Sequence, residues 1–217
     1  MVTKLIIGGL FFGIFVMHMI FTKNEYIKGR YYTKPFLMIL LAIYYILSVP
    51  EINKFIVLAL GFAFIGDVFL MWSERKSYFI IGLVAFLMGH ICYVLLFLQD
   101  ISFTKDIPIW FYLSIIIYVI VAIAVMKKLK NYLGNMKIPT YVYVTIISSM
   151  SFASLARISV MGISTSSLLP FIGSLLFLCS DSILGFYTFK GKFKNGNVYI
   201  MLTYVLAQVL IVGGYLF

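Results

Sequence analysis

The sequence predicts an all-α integral membrane protein with eight transmembrane helices. Of its 217 residues, 63% are hydrophobic and only 11% are charged, and the mean hydropathy is +1.08. Soluble domains are about half apolar and about a quarter charged, so this composition excludes a soluble enzyme. The apolar residues fall into eight runs, most of them near the length that crosses the hydrocarbon core of a bilayer.

The predicted spans belong to a single polytopic domain, residues 1–217. They cover about residues 4–22, 36–49, 54–72, 78–98, 109–126, 139–161, 168–187 and 198–217. The first run is expected to be retained as a span, because no small-residue cleavage site follows it and its basic cluster comes after it. The prolines lie near the ends of the runs, so no span is predicted to be broken in its middle. Unbroken helices weigh against a transporter.

Basic residues predict the orientation of the spans. Thirteen of the 17 Lys and Arg residues fall in the gaps after spans one, three, five and seven. The positive-inside rule therefore places those gaps in the cytoplasm and both termini outside. The thirteen are Lys23, Lys28, Arg30, Lys34, Arg75, Lys76, Lys127, Lys128, Lys130, Lys137, Lys190, Lys192 and Lys194. The other four are Lys4, Lys54, Lys105 and Arg157, and we expect Arg157 to snorkel from near the outer end of span six.

The net charge of +10 does not indicate a protein that binds nucleic acid, because the basic residues lie in short gaps between apolar runs. Anionic lipid head groups are the expected partners. Cys92 and Cys179 lie in mid-span among apolar neighbours. We interpret both as packing residues and expect neither a disulfide framework nor a thiolate metal site. His18, near the inner end of span one, is interpreted as structural.

Two acidic residues lie inside predicted spans, Asp67 in span three and Asp181 in span seven. An ionisable group in lipid costs several kcal/mol, so each acid marks a functional site by default. Counting about 1.5 Å per residue from the span ends places both acids roughly 8 to 9 Å from the cytoplasmic boundary. We therefore expect the two acids to share one level. The alternative is that each acid pairs with Lys, Tyr or Gln and only holds helices together.

Further polar residues fall near the same level on neighbouring spans. His90 and Tyr93 lie one turn apart on span four, Tyr204 and Gln208 lie one turn apart on span eight, and Lys34 lies at the cytoplasmic mouth. Each also has a simpler interpretation as an interhelical hydrogen-bond donor or a packing aromatic. The acids precede His90 and Tyr204 by the same 23 residues, which suggests two parallel four-helix halves or a chance similarity.

A carboxylate pair is the chemistry that these residues favour. The chain has only two histidines, on different spans, and no serine lies on a recognisable elbow, so neither a metal centre nor a serine hydrolase is supported. Two neighbouring carboxyl groups in a dry cavity rarely ionise together, so one can donate a proton while the other accepts one. Such a pair suits bonds cleaved through an oxocarbenium-like state, as in glycoside hydrolysis.

The chain resembles the YhhN family of lysoplasmalogenases, which are multi-span enzymes that hydrolyse the vinyl ether bond of lysoplasmalogens. Five short motifs, in order from span two to span eight, carry the resemblance. They are Lys34-Pro35, Gly66-Asp67 with Leu70, Gly89-His90 with Tyr93, the run from Gly173 to Asp181 with Leu184, and Tyr204-Val-Leu-Ala-Gln208. Ser174 stands where the resemblance would lead us to expect alanine. Spans one, five and six carry little of the resemblance.

The resemblance implies hydrolysis of a lysoplasmalogen to a fatty aldehyde and a glycerophospho-base, with water and without a metal or cofactor. Asp67 and Asp181 would be the catalytic pair, although the residues do not tell which is the acid. The residues expected to bind or orient the substrate are Lys34, His90, Tyr93, Ser180, Tyr204 and Gln208, with Arg75 or Lys76 as further phosphate contacts.

The expected location is a bacterial cytoplasmic membrane, with the active site toward the cytoplasmic side. The expected partners are the lysophospholipid substrate, water and membrane lipids. A competing interpretation is a non-enzymatic lipid or proton-coupled carrier that uses the same intramembrane acids. Head group, chain length and oligomeric state are not readable from the sequence.

Overall fold

A computed structural model describes residues 2–101 and 107–216. These residues form eight α-helices and contain no β-strand, which confirms the all-α class. The helices are α1 (Val2–Lys23), α2 (Ile27–Ser48), α3 (Lys54–Leu70), α4 (Lys76–Gln99), α5 (Ile109–Leu129), α6 (Lys137–Met161), α7 (Thr165–Gly185) and α8 (Gly196–Gly213). A short 3₁₀ helix, Gly134–Met136, precedes α6, and a π-helical segment, Phe186–Lys190, follows α7.

Seven helices within the described ranges are long and apolar enough to cross a membrane. The exception is α3, which has 17 residues. Its length of roughly 26 Å falls short of a hydrocarbon core of about 30 Å. The protein is therefore a multi-pass membrane protein, while the eighth span, the outward termini and the 4+4 repeat stay predictions. Lys105 of the orientation argument lies outside the described residues, as does Phe217 at the end of the last predicted span.

The described part of the chain divides into two compact units, and the division falls within α4. The first unit extends to Tyr93 and contains α1, α2, α3 and most of α4. The second unit extends from Val94 to Tyr215 and contains α5 to α8. A single polytopic domain stays a prediction.

In the first unit, a buried hydrogen bond joins α1 to α2. The Thr33 hydroxyl donates to the Gly29 carbonyl at 2.8 Å, and His18 Nδ1 lies 2.7 Å from the same hydroxyl oxygen. Because the Thr33 hydrogen is used in the first bond, Nδ1 of His18 must be the donor in the second. His18 therefore has a structural role.

Helix α2 begins at Ile27, well before the predicted start of span two at residue 36. Pro35 consequently lies inside the helix, and the prediction that it opens the span is wrong. Proline has no N–H to donate to the Tyr31 carbonyl, yet α2 continues without a break past Pro35. Hydropathy missed the first turns because their inward positions are small or polar, with Gly29 and Thr33 both buried.

In the second unit, α7 and α8 pack closely. A Cβ at Gly173 would lie 2.8 Å from the Ala207 carbonyl oxygen of α8, so only glycine fits this approach without a shift. The Ser180 hydroxyl adds a hydrogen bond of 3.1 Å to the Ile200 carbonyl. The start of α7 is fixed by a capping box in which Ser164 and Ser167 bond each other's backbone N–H groups.

Arg157 is buried inside the second unit, so the prediction that it snorkels is wrong. Its Nε lies 2.8 Å from Asp100 Oδ2, and its Nη1 donates to the Ser166 carbonyl at 2.7 Å. The guanidinium lies over the Tyr215 ring at 4.5 Å, and the Tyr215 hydroxyl donates to Asp100 Oδ2 at 2.7 Å. A cation that finds a carboxylate within the protein need not reach the lipid interface.

The two cysteines differ in exposure. Cys92 is buried in α4, as a packing residue should be, whereas Cys179 is exposed on α7. The packing interpretation of Cys179 is therefore wrong. The physical reason is helical geometry: the next residue, Ser180, is turned toward α8, which leaves Cys179 about 100° away on another face.

Candidate active site

Asp67 lies on α3 with only 1% of its surface exposed. The preceding glycine allows this burial, because a Cβ at Gly66 would lie 2.6 Å from ring carbons of Phe86 on α4. Ala63 and Ala59, about one and two turns before Asp67, are also buried. Residues at four-residue intervals therefore form one buried face of α3 that includes Asp67.

Lys34 of α2 forms an ion pair with Asp67, with Nζ at 3.0 Å from Oδ1 and side-chain exposures of 13% and 1%. A second contact fixes the register of the same two helices, because the Tyr31 hydroxyl donates to the Met71 carbonyl at 2.8 Å. Tyr31 and Lys34 are i, i+3 neighbours on α2, and Met71, the residue that caps α3, lies four residues after Asp67. The sequence predicted Lys34 at the cytoplasmic mouth, and the structure places its ammonium group beside the buried Asp67 carboxylate.

This ion pair favours the charged form of Asp67. An ammonium group at hydrogen-bond distance stabilises a carboxylate, and the effect is larger away from water than at an exposed site. Removing either partner would lower the stability of the fold strongly, because an uncompensated charge would remain in a buried site.

Asp181 lies on α7, is partly exposed, and has a specific partner on α6. The buried Tyr143 hydroxyl donates to Asp181 Oδ2 at 2.6 Å, at the short end of the range for hydrogen bonds between two oxygens. The bond engages one oxygen and fixes the orientation of the group. Ser167 and Ser174, which precede Asp181 at seven-residue intervals, are fully buried, so this face of α7 is turned into the second unit.

Sequence reasoning missed Tyr143. It lies on α6, which carried little of the family resemblance, among other tyrosines such as the exposed Tyr141. The position of Tyr143 along its helix was the signal that could have identified it. Tyr143 is six residues after the start of α6, and at about 1.5 Å per residue it lies roughly 9 Å along the helix, the depth predicted for Asp181.

The remaining predicted site residues are divided between the two units. His90 and Tyr93 are buried on α4 in the first unit. Tyr204 and Gln208 are buried on α8 in the second unit, where the Tyr204 ring packs edge-on against Phe177 at 5.6 Å. Their roles stay predictions, as does the meeting of Asp67 and Asp181.

The three other residues predicted to contact the substrate are Ser180, Arg75 and Lys76, and none of them lies beside a buried acid in the described contacts. Ser180 donates its hydroxyl hydrogen to the Ile200 carbonyl, which gives it a helix-packing contact. Arg75 and Lys76 are exposed beyond the end of α3, and the Arg75 guanidinium lies over the Tyr78 ring at 5.6 Å. Among the described residues, no group of three or more His, Cys, Asp or Glu side chains could hold a metal ion.

Comparison with known proteins identifies the family. The model of the YhhN family matches residues 29–215, which include nearly all of α2 and every helix after it. The chain belongs to the YhhN family. This YhhN chain is 27% identical over 169 residues to lysoplasmalogenase TMEM86A of Bos taurus, a match that covers 77% of this chain and 67% of the relative. No solved structure matches this YhhN chain. The family resemblance carried by the five motifs is confirmed.

Proposed function

We propose that this protein is a lysoplasmalogenase-like hydrolase that cleaves the vinyl ether bond of a lysoplasmalogen. The YhhN family and the relative named lysoplasmalogenase support a function of this kind. The observation that carries the proposal is the ion pair between Lys34 and Asp67, which provides a charged proton acceptor on a buried face of α3. The contacts of Asp67 with a lysine and of Asp181 with a tyrosine are also those of the alternative in which the acids only hold helices together, and turnover of the Asp→Asn variants distinguishes the two.

The two acids take different roles in this proposal. Asp67, paired with Lys34, is the base that activates water. Asp181 is the acid, and Tyr143 is a positioning residue that engages Oδ2 so that the proton is delivered from Oδ1. A general acid and base of this kind each contribute roughly 10² to 10⁴-fold to the rate.

The proposed reaction has three steps. Asp181 transfers its proton to the terminal vinyl carbon, which leaves an oxocarbenium ion at the carbon bonded to oxygen. Water attacks that carbon while Asp67 takes a proton from the water, and a hemiacetal results. Asp67 then returns this proton to the glyceryl oxygen as the carbon–oxygen bond breaks, and Asp181 regains a proton from the hemiacetal hydroxyl. The products are a fatty aldehyde and a glycerophospho-base, and both acids return to their starting states.

The other predicted residues complete this proposal. His90, Tyr93, Tyr204 and Gln208 would orient the water and the ether oxygen, since each is a buried side chain with a hydrogen-bonding group. Because Lys34 is engaged by Asp67, the exposed Arg75 and Lys76 are the better candidates for the substrate phosphate. In the predicted orientation these two residues face the cytoplasm, so the proposed site opens to that side of a cytoplasmic membrane.

The test is release of fatty aldehyde from a lysoplasmalogen by the purified protein in detergent. The matched substrate control is a lysophospholipid of equal chain length with an ester bond. In heavy water the aldehyde, trapped at once by reduction, is expected to carry one deuterium on the carbon next to the former carbonyl. Transport of intact lysolipid into proteoliposomes without aldehyde would instead support the carrier alternative.

A further inference from the structure

The second unit contains an apolar groove between α5, α6 and α7 that encloses about 390 Å³. Its walls are mainly aliphatic and aromatic. They include Ile117 and Val121 of α5, Leu155 of α6, and Phe171, Leu175 and Leu178 of α7. The other lining residues, Ser114, Tyr118, Cys179 and Ser182, carry hydroxyl or thiol groups but no charge. Because most of the lining surface is apolar, the chemistry that fits the groove is a hydrocarbon.

A chain of hydroxyl groups behind the groove fixes its walls. Tyr118 of α5, whose ring lines the groove, has its hydroxyl 2.9 Å from Ser151 Oγ of α6. Ser174 Oγ of α7 lies 2.9 Å from the same Ser151 oxygen and 2.7 Å from the Phe171 carbonyl. Ser151 and Ser174 are fully buried. The three helices are therefore tied together by hydrogen bonds inside the protein, and the groove is a built feature of the unit.

The groove has about the length of one lipid chain and runs along α7 to the helical turn that carries the proposed acid. Phe171, Leu175, Leu178 and Ser182 follow one another at intervals of three and four residues, so they form one stripe along α7. The stripe covers roughly 17 Å at about 1.5 Å per residue, and one leaflet of the hydrocarbon core is about 15 Å thick. Leu178 and Asp181 are i, i+3 neighbours, so the stripe ends beside the acid.

We propose that this groove binds the alkenyl chain of the lysolipid substrate, with the vinyl ether end beside Asp181. The inference rests on the proposed function and adds a subsite that selects substrates by the length of their alkenyl chain. The groove is continuous with the lipid-facing side of α5, where Ile116 and Ile120 are exposed, so a chain can enter from the bilayer. One groove of one chain's length suits a lysolipid, which has a single chain.

Chain-length selectivity tests the proposal. The variant Ile117→Trp fills the groove away from Asp181, because the neighbouring Tyr118 is joined through Ser151 to Ser174, about two turns before Asp181 on α7. Ile116→Trp is its control, because Ile116 is the preceding residue on α5, is also exposed and does not line the groove. For Ile117→Trp we expect KM for an eighteen-carbon vinyl ether substrate to rise about tenfold or more, since each buried methylene contributes roughly fourfold to affinity. KM for an eight-carbon substrate should stay near the wild-type value, because its chain ends before this position. Equal changes for both chain lengths, or the same shift in Ile116→Trp, would overturn the proposal.

A binding experiment separates this inference from the proposed reaction. Cys179 lines the groove and is exposed, whereas Cys92 is buried and provides an internal standard. We expect a saturated, non-cleavable 1-O-alkyl lysophospholipid with a long chain to slow maleimide modification of Cys179 more than its short-chain analogue does. Protection without any aldehyde release would support the groove and reject the reaction. Aldehyde release without protection, or equal protection by a diacyl phospholipid, would reject the groove as the chain subsite.

Discussion

The hydroxyl of Tyr143 donates a hydrogen bond of 2.6 Å to Oδ2 of Asp181. It joins α6, the helix that carried little of the family resemblance, to the acid on α7. The bond fixes which oxygen of Asp181 is engaged, and it therefore gives the proposed proton donor a defined direction.

Replacing Tyr143 with phenylalanine is expected to lower kcat about tenfold, because a hydrogen bond to a carboxyl group that acts in the reaction is lost. KM should change little, since a positioning residue does not bind the substrate directly. Aldehyde release measured across substrate concentrations separates the two constants. The control is Tyr141→Phe, on the same helix but exposed. A rise in KM with unchanged kcat would contradict the positioning role.

Removing Lys34 is expected to destabilise the protein more than removing both members of its ion pair. In Lys34→Met the carboxylate of Asp67 loses its cation, and we expect the free energy of unfolding to fall by about 3 kcal/mol. Adding Asp67→Asn to this variant should recover most of the loss, because the uncompensated charge is gone. Denaturation in detergent measures both variants.

Lys28→Met serves as the control for Lys34→Met, since Lys28 is an exposed lysine on the same helix. It should unfold like the wild type. If Lys34→Met also unfolds like the wild type, the ion pair does not stabilise the first unit, and the argument for a charged Asp67 fails with it.

Arg157→Met is expected to lower the free energy of unfolding by about 2 kcal/mol, because Asp100 loses its cation and the Ser166 carbonyl loses a donor. The estimate is smaller than for Lys34 because Asp100 is itself partly exposed. Thermal denaturation of Arg157→Met beside the exposed-site control Arg75→Met measures the difference. Equal unfolding midpoints for the two variants would show that the contacts of Arg157 with Asp100 and Ser166 contribute little to stability.

The sequence predicted the helical class and the positions of most helices, because both depend on local hydropathy. It did not predict the early start of α2, since the first turns of that helix bury glycine and threonine and not large apolar side chains. The partners of the charged residues also escaped prediction. Arg157 with Asp100, and Lys34 with Asp67, are pairs distant in sequence, and only the packing of the helices shows which charges meet.

The central claim is that Asp67 and Asp181 both act in vinyl ether hydrolysis, and the most direct measurement compares aldehyde release by the wild type, Asp67→Asn and Asp181→Asn. Each variant is first shown to be folded and monodisperse, with Asp100→Asn as a control for loss of a carboxylate outside the proposed site. We predict that each of the two variants loses roughly 10² to 10⁴-fold in kcat, whereas Asp100→Asn retains turnover. Full turnover in folded Asp67→Asn or Asp181→Asn would contradict the account.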